Sequence, residues 1–490
     1  MSVLNYKILS RTIGSLLFVE TGMFLVCLIV AAIYKEADMT AFAFSSLLTF
    51  FIGFILKYIG RSSGKTLNRR DAFFVVAVTW IVFSTIGMLP FLMTGVCHNI
   101  SDAFFETMSG FTTTGSTIIN NVETLPHGIL FWRSLTHWVG GLGIVIFTMA
   151  LLPSAGESNI RLFSAEATGP THEKLHPRIR TTVKWLFLLY FLLTLACSVS
   201  LWLCGMNVFD SINHAMSTIS TGGFSTHNAG IMFYNSAAIE YIEIVFMFLS
   251  GINFFLLYLI LQKKSLKMLV QDSEYRKFGF YSSCILITAM IAAIVLVLYS
   301  GYNVEHALRS ALFNIISVQT TTGFVSENIA LWWHPVWFFL FFVMIAGGCA
   351  GSTSGGIKCI RLLTLGKTAT NHFRHMLHPN AYIPIRVNHT IVSEAVEQSL
   401  MAFLSMYGVL LVIGTLCFAV MGISFFDSLN IVICCISNVG ATDGLSYTPV
   451  TNLFTLPDAG KWLCSFLMLA GRLEIFPLLL PLVPAFWKNN

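Results

Sequence analysis

The chain has 490 residues, of which 56% are hydrophobic and only 10% charged. Soluble globular proteins carry roughly 25% charged residues, so the composition excludes an ordinary soluble domain and indicates an all-α polytopic membrane protein. The net charge of +5 is gathered in loops between apolar runs, not spread as a basic surface, which excludes a nucleic-acid binder. The eleven cysteines form no CxxC pair, and most lie in apolar runs, where Cys acts as a small hydrophobe.

Residues 12–33 follow Lys7 and Arg11 and imitate a signal peptide. A second apolar run at 41–58 comes at once with no convincing cleavage site, so both read as retained spans. Further runs occupy 72–95, 129–152, 185–205, 238–262, 278–300, 336–366, 395–421 and 460–484, which makes ten candidate spans. Alternate loops are basic: Lys57 to Arg70, Arg161 to Lys184, Lys263 to Lys277 and Lys358 to Arg386. The intervening segments 96–128, 206–237, 301–335 and 422–459 hold Arg309 as their one Lys or Arg. The positive-inside rule therefore makes the basic loops and both termini cytoplasmic.

The external segments are too long for turns. Each has an apolar stretch of about ten residues, ~15 Å as a helix, and then a Thr/Ser/Gly-rich kink. They align on Gly115, Gly223, Gly323 and Gly440, with Asp102, Asp210, Ser310 and Asp427 thirteen residues earlier. The register of the second copy stays open by one residue, between Gly222 and Gly223, although the thirteen-residue offset favours Gly223. This predicts four span–half-helix–span units at 63–160, 161–270, 271–375 and 376–490, behind two extra helices in 1–62. Asp and Ser are good helix N-caps. The half-helix C-terminus carries partial negative charge and favours a cation. Irregular backbone at that depth is tolerated only when buried in protein or lining a wet path. Four such segments around one axis would make rings of carbonyls able to replace a cation's hydration shell.

These motifs resemble the superfamily of K+ transporters that includes the bacterial Trk and Ktr and the plant HKT proteins. The resemblance spans essentially the whole chain and includes "HWVGGLGI" (137–144), "SGIN" (250–253), "GGCAGSTSGGIK" (347–358), "HPNAY" (378–382) and "GRLE" (471–474). The two extra N-terminal spans match the Trk branch. The resemblance implies a K+ filter at Thr112, Thr113, Thr114 and Gly115; Ser220, Thr221, Gly222 and Gly223; Thr321, Thr322 and Gly323; and Asn438, Val439 and Gly440. It implies K+ as the transported ion, no cofactor in this chain, a homodimer in the lipid of a bacterial inner membrane, and a TrkA-like nucleotide-binding regulatory ring on the cytoplasmic side. Gly115 stands where plant relatives that prefer Na+ carry Ser. The "SNVG" copy breaks the Thr pattern, so a Na+ or poorly selective transporter stays open, as does an H+- or Na+-coupled symporter.

The eighth span is interrupted by five glycines in eleven residues (346–356). Glycine costs ~1 kcal/mol against Ala in a helix, and these glycines fall on more than one face, which favours a flexible break over close helix packing. The resemblance makes it a gating loop: Gly347, Gly348, Gly351, Ser352, Gly355 and Gly356, with Lys358. Arg472 sits near the middle of the last predicted span, where a charge is costly and functional by default. Glu474, two residues on, cannot face it on a helix. Arg472 reads as an electrostatic barrier below the filter, or as half of an ion pair locking two helices. His372, His375 and His378 read as a solvated basic face, and Glu106 and His214 as buried supports or titrating groups. No clustered acid–base set points to a membrane enzyme.

Overall fold

The computed structural model describes residues 4–61, 68–144, 179–263, 273–329, 332, 334–380, 383–387, 390–440 and 453–488. Beyond a hairpin pairing Arg386–Val387 (β1) with Thr390–Ile391 (β2), the described residues are helical or irregular. Lys65, the 161–178 loop, most of 263–272 and the end of the predicted 129–152 span lie outside the described residues.

Helices α1 (Tyr6–Tyr34) and α2 (Met39–Ile59) form an antiparallel pair against the body of the fold. Helix α3 (Arg69–Gly87) begins with a capping box in which the Asp71 carboxylate accepts the Asn68 N–H at 3.2 Å. Asp71 also accepts the N–H of Asn5 at 3.3 Å, tying the foot of α1 to α3. Beyond α4 (Leu89–Met93) come four short helices: α5 (Ile100–Phe111), α8 (Val208–Ile219), α12 (Val304–Gln319) and α16 (Phe425–Ser437). The long helices α7 (Ile179–Leu203), α11 (Ser273–Ser300) and α15 (Glu394–Val420) precede the last three of these.

Each short helix is followed by a helix that breaks. Helix α6 (His127–Leu142) ends at Gly143, φ +92°. Helix α9 (Ala237–Ser250) turns 97° into α10 (Phe254–Lys263). Helix α13 (His334–Ala346) meets the glycine-rich loop before α14 (Cys359–Leu377). Helix α17 (Asp458–Arg472) turns 119° toward α18 (Phe476–Leu479), with Glu474 and Ile475 at positive φ. Of the four breaks, the glycine count had exposed only the third. Six described helices are long and apolar enough to cross a membrane, or eight when each bent pair is one span.

The expected caps need correction. Asp102, Asp210 and Asp427 are third residues of their helices, and the N-caps are Asn99, Asn207 and Ser424. Asn207 and Ser424 accept the N–H groups of Asp210 (2.7 Å) and Asp427 (3.2 Å). Ser310 is interior, because α12 starts about one turn earlier, at Asn303. An Asn or Ser three residues ahead of Asp is the capping-box pattern itself, and it was present in the sequence.

The glycines of α6 set how closely this scaffold packs. A Cβ on Gly140 would overlap the carbonyl of Phe111, and one on Gly141 would press on Ser220. Gly140→Val is therefore expected to cost at least ~1–3 kcal/mol, read as a lower thermal midpoint of the detergent-solubilised protein. Gly22→Ala, inside α1 with nothing within 4 Å of the added Cβ, should not lower it and should add up to ~1 kcal/mol of stability.

Candidate functional site

All four half-helices end in the same turn. The residue two before each aligned glycine has left-handed φ: Thr113 (+53°), Thr221 (+56°), Thr321 (+61°) and Asn438 (+56°). Their N–H groups donate to Gly110, Thr218, Val318 and Cys435. The next N–H groups, of Thr114, Gly222, Thr322 and Val439, donate to Ser109, Ser217, Ser317 and Cys434 at 2.8–3.0 Å. This is the Schellman pattern, which satisfies helix-end carbonyls. Three β-branched threonines at positive φ are genuine outliers, and such strain, ~1–3 kcal/mol each, gathers at functional positions.

The aligned glycines follow at +79° (Gly115), +85° (Gly223), +83° (Gly323) and +82° (Gly440). The second copy is thus in register on Gly223. Gly222 has a different job: a Cβ there would run into the ring of His137, which stacks on Phe224 at 4.0 Å.

The four glycines form a closed ring. A Cβ on Gly115 would overlap the carbonyl oxygen of Gly222; on Gly223, that of Thr322; on Gly323, that of Val439; and on Gly440, that of Thr114. The copies therefore follow chain order around one axis, with the first opposite the third. Their side chains are not four-fold alike. Thr112 and Thr114 share a hydroxyl contact at 2.8 Å, as do Thr320 and Thr322. The other two copies put Gly222 and Val439 at the second of these positions, and Asn438 Nδ2 donates to Thr114 Oγ1 (3.0 Å) and to the Met468 carbonyl (2.9 Å).

Glu106 and His214 both lie nine residues before a ring glycine, and both strap the chain that follows it. Glu106 accepts from Thr117 Oγ1 (3.0 Å) and the Ile118 N–H (3.2 Å). His214 contacts Ser225 Oγ at 2.9 Å, and Asn314, the third equivalent, donates to Ser326 Oγ at 3.0 Å. The fourth equivalent is Ile431, and residues 441–452 lie outside the described residues. Asp210 serves the same end, accepting from Thr226 at 2.6 Å and Tyr234 at 2.9 Å. Asp102 instead pairs with Lys461 at 2.5 Å. A cavity of about 360 Å³ above the ring is lined by Gly115, Gly223, Gly323 and Arg133 among others. Arg133, buried, donates to Glu106 (2.8 Å) and the Ser225 carbonyl (3.1 Å), and lies 4.0 Å over the Phe224 ring. It falls inside a predicted span, so the rule that singled out Arg472 should have found it too.

Below the ring, the 347–358 loop touches three copies. Gly355 N–H donates to Thr321 Oγ1 at 2.7 Å, and Gly355 lies against the Ser437 carbonyl. Thr353 Oγ1 reaches the carbonyls of Ile219 (3.1 Å) and Ser250 (3.3 Å). Gly347, Gly351 and Gly356 take positive φ, and Gly348 lies against Ser354 and the Gly251 carbonyl. Ser352 Oγ contacts Ser354 Oγ at 2.7 Å, and the Lys358 ammonium donates to the Ser354 carbonyl. The break and the close packing, alternatives in the sequence, coexist here.

Arg472 is the last residue of α17, at the bend and not mid-span. It donates to the carbonyls of Gly140 (2.6 Å) and Gly141 (2.8 Å) and to that of Thr353 (2.8 Å). The first two close α6, where a helix C-terminus attracts a cation. Arg472 thus joins the first copy's broken helix to the third copy's loop, across the ring axis. Glu474 pairs with Arg361 instead, whose guanidinium also covers Phe403 at 4.0 Å. Leaving the buried Glu106 unpaired by Arg133→Ala should cost ~3–5 kcal/mol; Arg133→Ala with Glu106→Gln should recover part of it, measured by thermal unfolding.

A family model described as "TrkH: Cation transport protein" matches residues 39–488. The chain is 35% identical to the Trk system potassium uptake protein TrkH of Salmonella typhimurium, over 99% of this chain and 100% of that one. It is 33% identical to the Trk system potassium uptake protein TrkG of Escherichia coli, over the full length of both. It is similar to the crystal structure of the potassium transporter TrkH from Vibrio parahaemolyticus, with a TM-score of 0.88, 32% identity, and 99% and 100% of the two chains covered.

Proposed function

The chain belongs to the TrkH family of cation transport proteins, and we propose that it is a potassium uptake subunit whose ions pass through the ring of Gly115, Gly223, Gly323 and Gly440. The observation that carries this reading is the ring's closure, each glycine set against the next copy's carbonyl. The family is one of transporters, not enzymes, and K+ is cargo, with no cofactor required.

In this reading 63–160, 161–270, 271–375 and 376–490 are four pore repeats. Backbone carbonyls at Thr113–Gly115, Ser220–Gly223, Thr321–Gly323 and Asn438–Gly440 replace the ion's water. The half-helix ends add negative potential from below. Membrane potential drives entry, ~2.3 kcal/mol per charge per 100 mV. The 346–356 loop and Arg472 gate the path, since Arg472 puts a cation beneath the ring and its bond to Thr353 holds the loop there. Both termini face the cytoplasm of a bacterial cell whose inner membrane holds the protein. Two chains form a dimer with one pore each, and a TrkA-like nucleotide-binding ring docks on the basic cytoplasmic loops.

A second reading, a Na+ or poorly selective monovalent cation transporter, draws on one observation: the paired threonine hydroxyls of the first and third copies have no counterpart at Gly222 and Val439. Rb+ and Na+ flux in liposomes, with the regulatory partner and nucleotide supplied, separates the two. The expected result is Rb+ flux well above Na+ flux, together with rescue of potassium-limited growth. No Rb+ flux from folded protein would overturn the proposal. Gly223→Ala should cut Rb+ flux by about tenfold or more, from the ~1–2 kcal/mol cost of a side chain in this conformation. Arg472→Ala should raise flux; unchanged flux in a folded variant would remove Arg472 from the gate.

A further inference from the structure

Glu243 lies midway along α9, wholly buried, and reaches α8. Its Oε2 is 2.7 Å from Thr218 Oγ1, and the same hydroxyl is 2.7 Å from the carbonyl oxygen of His214. A hydroxyl owns one proton, and a carbonyl can only accept. The contact to His214 is the i−4 bond that helical threonines make to their own backbone. With the hydroxyl proton committed there, the second contact takes its proton from the carboxyl.

The surroundings agree. Among the described residues, Glu243 Oε1 is buried with no hydrogen-bond partner. Among the described residues no Lys, Arg or His forms an ion pair with Glu243. Cys197 and Tyr234, two titratable groups near enough to feel its charge, are not cations. An ionised carboxylate so placed lacks both water and a counter-charge, and burial without either strongly disfavours the charged form.

What Glu243 grips is next to the ring. The Thr218 carbonyl accepts the Thr221 N–H at 3.0 Å, closing the left-handed turn. Helix α9 therefore holds Thr218 by its side chain, five residues before Gly223. At the equivalent position the other copies have Gly110, Val318 and Cys435, none with a hydroxyl. The second copy alone carries this bolt.

We propose that Glu243 is a neutral, proton-donating positioning residue whose carboxyl O–H to Thr218 fixes the end of α8 and so the Thr221–Gly223 segment of the ring. Its consequence for ion selectivity rests on the conduction reading given above; its protonation does not. The test compares purified wild-type and E243Q proteins by infrared difference spectroscopy at neutral pH. Both, with E243A and T218V, are also reconstituted for Rb+ and Na+ flux. A protonated-carboxyl stretch should be present in the wild type and absent in E243Q. E243Q keeps an N–H donor and should keep the wild-type Rb+/Na+ ratio, whereas E243A and T218V should lower it about fivefold, the effect of one lost hydrogen bond. No protonated-carboxyl band in the difference spectrum overturns the proposal, whatever the flux. So does E243Q behaving like E243A, or E243A folding with an unchanged ratio. The infrared comparison and E243Q stand even if E243A does not fold. Loss of wild-type Rb+ flux would strike the conduction reading and the selectivity role together, and the band would then decide the proton alone.

Discussion

Each ring glycine touches the carbonyl that precedes the next ring glycine, and the fold is arranged to keep that contact four times over. Its demands propagate outward. The glycine must be left-handed, and the residue two before it must be left-handed as well. That conformation is costly for threonine, so the turn is held by two backbone bonds in every copy. The half-helix that offers those carbonyls must in turn be anchored, and the first three copies solve this with different chemistry. Glu106, His214 and Asn314 strap the chain beyond the glycine, while α6 and the 347–358 loop press glycines against the helix ends.

The underside of the ring follows from the same accounting of backbone groups. Helices that stop inside a membrane leave carbonyls without partners, and no water is there to serve them. Thr353 supplies a hydroxyl to the end of α8, and Arg472 supplies a guanidinium to the end of α6. "GGL" at 140–142 and "GRL" at 471–473 align, so Arg472 stands where the first copy has Gly141. Three copies with small residues there leave room for the fourth to reach across.

Much of this was legible in the residues. The offset of thirteen from Asp or Ser to glycine located the four copies, and the span pattern located their neighbours. Arg472 declared itself as a charge in an apolar run, and Glu474 was rightly refused as its partner. Other features were hidden because the relevant signal was local and short. Three of the caps were misplaced by three residues because Asp was read ahead of the Asn or Ser that precedes it, and the third copy's by seven, Ser310 for Asn303. Three helix breaks were missed because "GGLG", "SGIN" and "GRLE" contain too few glycines to outweigh their apolar flanks. The register between Gly222 and Gly223 was favoured by the offset of thirteen but not fixed by it. It depends on His137, which is 85 residues away in the chain and adjacent only after folding.

The unlikeness of the four copies has a consequence for how such a ring can change. In a pore made from four identical chains, any substitution is imposed four times, so its effect on the ring is large and symmetric. Here one codon alters one quarter of the ring. The hydroxyl pairs of Thr112–Thr114 and Thr320–Thr322 belong to copies on opposite sides of the axis, while Gly222 and Val439 occupy the other diagonal. A two-fold field on a four-fold frame is a state that a homotetramer cannot reach by any single mutation. If ions pass through the ring as proposed, their discrimination is open to adjustment in small, independent steps.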